Sequence, residues 1–165
     1  MAAGLVRRLG ALVYEGLLLF ALLLVAGFAI LPVVGPRTVQ GSHAASDLYV
    51  LPTASGAFLF LYYFVVAGVY CITLWSGGRR TLAMKTWGLG LSARDGSPPG
   101  RRQATGRYFA AWIGPALGLA CYMAVGRWGL FAGLLGYAWA LVDRDRQFLQ
   151  DRLAGTRIVR LTGRT

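Results

Sequence analysis

The stretch LGALVYEGLLLFALLLVAGFAILPVV, residues 9–34, holds a single acid, Glu15, and no cation. As a helix it is long enough to cross a hydrocarbon core of roughly 30 Å. Residues 56–75 form a second apolar run of that kind, residues 108–125 a third that is barely shorter, and residues 128–142 a short fourth. Together they predict an all-α integral membrane protein, a four-helix transmembrane bundle whose fourth crossing is short.

The cationic residues sort to one side of these runs. With a cytoplasmic N-terminus and one crossing per run, all 17 lysines and arginines except Arg37 and Arg127 fall inside. That bias predicts four crossings with both termini cytoplasmic, since three would put the basic tail on the wrong face. The expected layout is one domain over residues 1–165, with a cytoplasmic loop at 76–107 and a cytoplasmic tail at 143–165.

Composition excludes the main alternatives. With 56% hydrophobic and 14% charged residues, collected into runs, too little polar surface remains to coat a soluble globule. A net charge of +11 raises nucleic acid as a partner. The arginines instead flank apolar segments without base-stacking aromatics in a basic stripe, so the bilayer and its anionic headgroups are the expected partner. Arg7 and Arg8 followed by an apolar run also suit a signal peptide, with Ser42-His43-Ala44 as a cleavage site. The run is too long for that and reads as a retained crossing. Cys71 and Cys121 lie inside expected crossings, where small buried apolar side chains are their expected role.

The chain's punctuation refines this outline. Pro32 with Gly35-Pro36 should stop the first crossing, residues 34–55 form an outer loop, and Ser76-Gly77-Gly78 breaks the second crossing after Trp75. Leu82, Met84 and Trp87 among basic residues suit a short segment lying on an anionic leaflet. Leu89 to Leu91 and Arg157 to Leu161 are candidate strands that could pair into a small cytoplasmic ribbon, given support from the bundle or the headgroups. Pro115 should kink the third crossing by displacing the Ala111 carbonyl. Gly114 and Gly118, and Gly129 and Gly133, have the four-residue spacing that lets helix backbones approach closely, so a tight hairpin turning at Gly126-Arg127 is expected.

Chemistry concentrates at few residues. Glu15 is the one acid inside a crossing, two turns beyond Arg8 on nearly the same helix face. Ionised there, it needs a partner, water or a proton. It serves either as an exchanging carboxylate on a transport path or as a packing lock held by Arg8 or another arginine. After the last run, Phe148, Leu149 and Leu153 at helical spacing suggest an amphipathic juxtamembrane helix with mostly solvated charges, ended by Gly155. Asp151 on it could reach Arg8. A lone His43 and scattered cysteines supply no zinc site, no glycine loop precedes Lys-Ser/Thr, and no hydrolase triad is supported, so neither enzyme activity nor a cofactor is expected.

Arg8 before Leu9-Gly10-Ala11-Leu12, the segment Thr81-Leu82-Ala83-Met84-Lys85-Thr86-Trp87, and the segment Asp151-Arg152-Leu153-Ala154-Gly155-Thr156 resemble the motifs of the RDD family of small membrane proteins. The chain departs from that pattern in having Glu15 at the first aspartate position and Gln150 where a histidine is common before Asp151. The resemblance implies a bacterial inner-membrane protein with Arg8, Glu15 and Asp151 gathered near the cytoplasmic interface. It further implies monovalent cation/proton transport, proposed for some members, with Glu15 exchanging, Asp151 as a second acidic ligand or gate, and Arg8 as the competing cation. The alternative is a non-transporting scaffold or accessory subunit whose glycine-rich hairpin binds partner membrane proteins. Four short helices make a small transporter, so a homo-oligomer is expected in the first case.

Overall fold

The computed structural model describes residues 4–34, 53–143 and 147–161. The expected outer loop with Arg37 and His43, and residues 144–146 and 162–165 of the tail, lie outside the described residues. Helix α1 spans Leu5–Val34 and α2 spans Thr53–Trp75. Three segments are long and apolar enough to cross a membrane: Val6–Val34, Gly56–Trp75 and Arg101–Ala140. As expected, α1 stops near Pro32, which lies in its last turn. Proline in the last turn removes one amide donor from the ladder, and the helix ends two residues later. The second helix does end at Trp75, where Gly77 and Gly78 take positive φ of 64° and 74°.

Beyond α2 the chain forms a small cap. Thr81 opens α3, Leu82–Thr86, by accepting a hydrogen bond from the Met84 amide. Strand β1, Leu89–Ala93, follows, and the turn after it closes when the amide and hydroxyl of Ser97 donate to Asp95. Those two donors hold the Asp95 carboxyl below the usual carboxylate range. Strand β2, Thr156–Arg160, pairs antiparallel with β1, Leu91 opposite Ile158. Bundle support for this ribbon is visible in Leu89, Leu91 and Ile158, which are buried in the same core as Cys71, Trp75 and Tyr108.

Helix α3 corrects one expectation. Met84 is buried and Trp87 packs on α1, where a Cβ at Gly10 would come within 2.6 Å of the indole ring. Only Leu82 of that apolar trio is exposed. The segment docks on the protein because Gly10 leaves a notch for Trp87.

The third apolar segment starts earlier than expected. Helix α4 covers Arg101–Ala111 and α5 covers Ile113–Val125, with a break at Trp112. The break falls one turn before Pro115, whose ring excludes the Ala111 carbonyl from the helical ladder. Tyr108 of α4 donates to the Phe64 carbonyl of α2 at 2.6 Å, and Gly68 of α2 lies against its ring. Phe64, Tyr108 and Trp112 meet in tilted and edge-on ring contacts and fix α2 to the α4–α5 junction.

At Gly126, with φ of +74°, the chain reverses. A 3₁₀ helix, Gly126–Leu134, runs back along α5 and continues as α6, Leu135–Val142. Small residues at 126, 129 and 132 recur with the three-residue period of a 3₁₀ helix. A Cβ at Gly129 would sit 2.2 Å from the Cys121 carbonyl carbon, and one at Gly114 would sit 2.7 Å from the Gly133 oxygen. A Cβ at Gly118 would sit 3.2 Å from the Gly133 backbone, closing the contact from the α5 side. The tighter 3₁₀ rise also lengthens the segment. Nine residues at about 2.0 Å and eight at about 1.5 Å reach roughly 30 Å, against roughly 22 Å for the fifteen α-helical residues expected.

Candidate functional site

Helix α1 begins, α2 ends and α4 begins at the end of the bundle that carries the ribbon, so their charged mouths meet there. Between the helices lies a cavity of about 360 Å³. Arg8, Ala11, Leu12, Glu15, Gly16, Leu19 and Leu23 of α1 line it. These fall at three- and four-residue spacing, one stripe covering roughly 22 Å of helix. Arg8, Glu15 and Arg107 make its polar end, and Ala67, Trp112 and Pro115 help to make the rest apolar.

Glu15 is held by the loop motif. Its Oε2 accepts a hydrogen bond from Thr81 Oγ1 at 2.5 Å. Thr81 is wholly buried, and its hydroxyl receives the Met84 amide while donating to Glu15. Tyr70 of α2 interacts with the same carboxylate. Oε1 is buried and has no protein hydrogen-bond partner.

Arg8 is 1% exposed, and its Nη2 donates to the Ile158 carbonyl of β2 at 3.3 Å. The first turn of α1 is thereby tied to the ribbon across 150 residues of sequence.

Asp151 is fully buried on α7, Leu149–Leu153, and its Oδ1 forms an ion pair with Arg107 Nη1. The same guanidinium nitrogen reaches Thr156 Oγ1 at 3.4 Å, and the group lies 4.7 Å from the centre of the Trp75 ring. This arrangement revises two expectations. Phe148 is buried as the predicted apolar face requires, but Gln150 and Asp151 are the buried residues of α7 and Leu153 is 58% exposed, so that face holds only in part. Asp151 is absent from the cavity wall, where its partner Arg107 stands. The second ion pair there joins Arg152 to Asp143 at 2.6 Å, with the Arg152 side chain 45% exposed and that of Asp143 3% exposed, so it is solvated on one side only.

Arg107 and Thr81 escaped the sequence reading, although each left a signal. Arg107 directly precedes the third apolar run, as Arg8 precedes the first. Thr81 opens a short apolar segment in the manner of a helix N-cap. Trp75, at the end of α2, packs inward under Arg107.

A bundle of apolar helices, capped at one end by a ribbon and enclosing a cavity with buried arginines and an acid, defines a helical membrane protein with a charged internal site. The RDD family model matches residues 2–155, and the chain belongs to that family. No curated protein and no solved structure matches the sequence.

Proposed function

We propose that this protein crosses the bacterial inner membrane four times, with both termini cytoplasmic, and exchanges protons for a monovalent cation at Glu15. The apolar segment Arg101–Ala140 supports the crossing number, because it reverses at Gly126 and its returning limb reaches roughly 30 Å, one hydrocarbon thickness. The charge asymmetry of the sequence supports the orientation.

One observation carries the exchange reading: Glu15 faces the cavity with one oxygen on the Thr81 hydroxyl and the other without a hydrogen-bond partner. A hydroxyl donates to a carboxylate and accepts from a carboxylic acid equally well. Thr81 therefore suits both protonation states of Glu15 without moving. Oε1 is left to take a proton or a small cation. Asp151, paired with Arg107, acts in this reading as a support for the site, and Arg8 as the cation that competes for Glu15. No catalytic step or cofactor enters the proposal.

The scaffold reading has less to draw on. Gly114 and Gly118 pack against Gly133, and Gly129 packs against the Cys121 backbone, within the chain, so the hairpin's close-approach face is already occupied.

Purified protein in vesicles with an imposed pH gradient, with and without sodium, tests the exchange. The parent should move protons in a cation-dependent way, Glu15→Asp should retain that movement, and Glu15→Gln should fall to the level of protein-free vesicles. Folded parent and Glu15→Gln that are equally active, or equally silent, would remove the transport reading.

A further inference from the structure

The polar end of the cavity contains unmet hydrogen bonds of both kinds. Trp75 is 8% exposed and Arg107 is 5% exposed, and both line the cavity. The indole Nε1 of Trp75 and the Nε of Arg107 are buried donors without protein acceptors. On the acceptor side, Glu15 Oε1 is buried without a protein donor. Leaving such groups unpaired is costly, and an unpaired carboxylate oxygen is costlier than a neutral one.

The three groups ask for different chemistry from one occupant. Glu15 calls for a cationic donor, while Trp75 and Arg107 call for an anionic oxygen. Away from them the wall becomes apolar through Leu19 and Leu23 on α1, along the helix axis toward the bundle interior. Trp75 closes α2, so the polar end lies at headgroup depth and the apolar end at acyl-chain depth.

We infer that this cavity binds a zwitterionic phospholipid with a primary ammonium, that is, an ethanolamine phospholipid. Its ammonium donates to Glu15 Oε1, its phosphate accepts from Trp75 Nε1 and Arg107 Nε, and an acyl chain follows the α1 stripe to Leu23. A choline head has no N–H to give Glu15, and a glycerol head has no cation. The cavity volume lies within the usual range for sites that enclose small molecules. This inference does not depend on ion exchange, and where exchange occurs the lipid ammonium competes with the cation for Glu15 Oε1.

Native mass spectrometry of the full chain tests it, titrating ethanolamine, choline and glycerol phospholipids of identical acyl chains. The ethanolamine lipid should bind about tenfold more tightly than either of the others, the size of effect expected from one charge-assisted hydrogen bond. Glu15→Gln should abolish the preference over choline lipid. Trp75→Phe keeps an aromatic ring beneath Arg107 on a smaller side chain that lacks the N–H, so it should weaken all three lipids while leaving their order. Equal binding of the three lipids to the parent, or an ethanolamine preference that persists in Glu15→Gln, would overturn the inference. Glycerol lipid binding as well as ethanolamine lipid would also overturn it, leaving simple attraction of an anionic head to arginine.

Discussion

Arg107 and Asp151 are both withdrawn from solvent, and that governs what losing either one costs. An ion pair in such a place has surrendered two hydration shells, so its net contribution is small, but an abandoned partner is strongly destabilising. Asp151→Asn should therefore cost about 3–5 kcal/mol, seen as a lower unfolding midpoint in mild detergent. The double variant Arg107→Met/Asp151→Leu should be more stable than either single change, and failure to recover would show that the pair has no buried-charge role. By contrast, Arg152→Ala removes the exposed partner of a buried Asp143 that keeps the Gln147 amide as a donor, so it should cost less than Asp151→Asn. At this scale the sequence was partly legible. Arg8, Glu15 and Asp151 stood out because an acid in an apolar run and an arginine at its mouth are costly choices. Arg107 was hidden among arginines that serve topology, and nothing in one-dimensional spacing joins residue 107 to residue 151. Thr81 carried a helix-cap signal, but its second use, donating to Glu15, is visible only once α3 lies on α1.

Among the elements, the hairpin of α5 and its returning 3₁₀ limb is the most constrained. Gly129 meets the backbone of Cys121, which cannot rotate away as a side chain could. Gly129→Ala should cost at least about 3 kcal/mol, the upper end of ordinary overpacking, with a corresponding loss of folded yield. Gly136 has nothing within 4 Å of its missing Cβ, so Gly136→Ala should leave thermal stability unchanged or raise it slightly. Equal behaviour of the two variants would remove close backbone approach as the hairpin's organising contact. The four-residue glycine spacing and Pro115 made the hairpin and its upstream break readable. The 3₁₀ winding was not readable, because the glycine pairs suit an α-helix as well and the choice follows from fitting the backbone against Cys121. The five-residue helices α3 and α7 were misjudged for a related reason. So short a helix gives periodicity little to work on, and burial there follows the partners, Gly10 for Trp87 and Arg107 for Asp151.

For the molecule as a whole, apolar run length and charge asymmetry were enough to find the membrane class, and the ribbon was legible as two short alternating segments. What could not be read was how the ends interlock. Arg8 reaches Ile158, Thr81 reaches Glu15 and Arg107 reaches Asp151, so three long-range contacts join the first helix, the loop and the tail around one cavity. The outward faces of the helices carry Val13, Leu17, Phe20, Leu24 and Phe28, as lipid contact requires. Inside that apolar shell Glu15 faces the cavity. Modification of intact membranes by a lipid-soluble carbodiimide, compared with a water-soluble and membrane-impermeant one and read at residue 15 by peptide mass, tests this enclosure directly. The account predicts that only the lipid-soluble reagent modifies Glu15, and modification by both reagents at similar rates would contradict it.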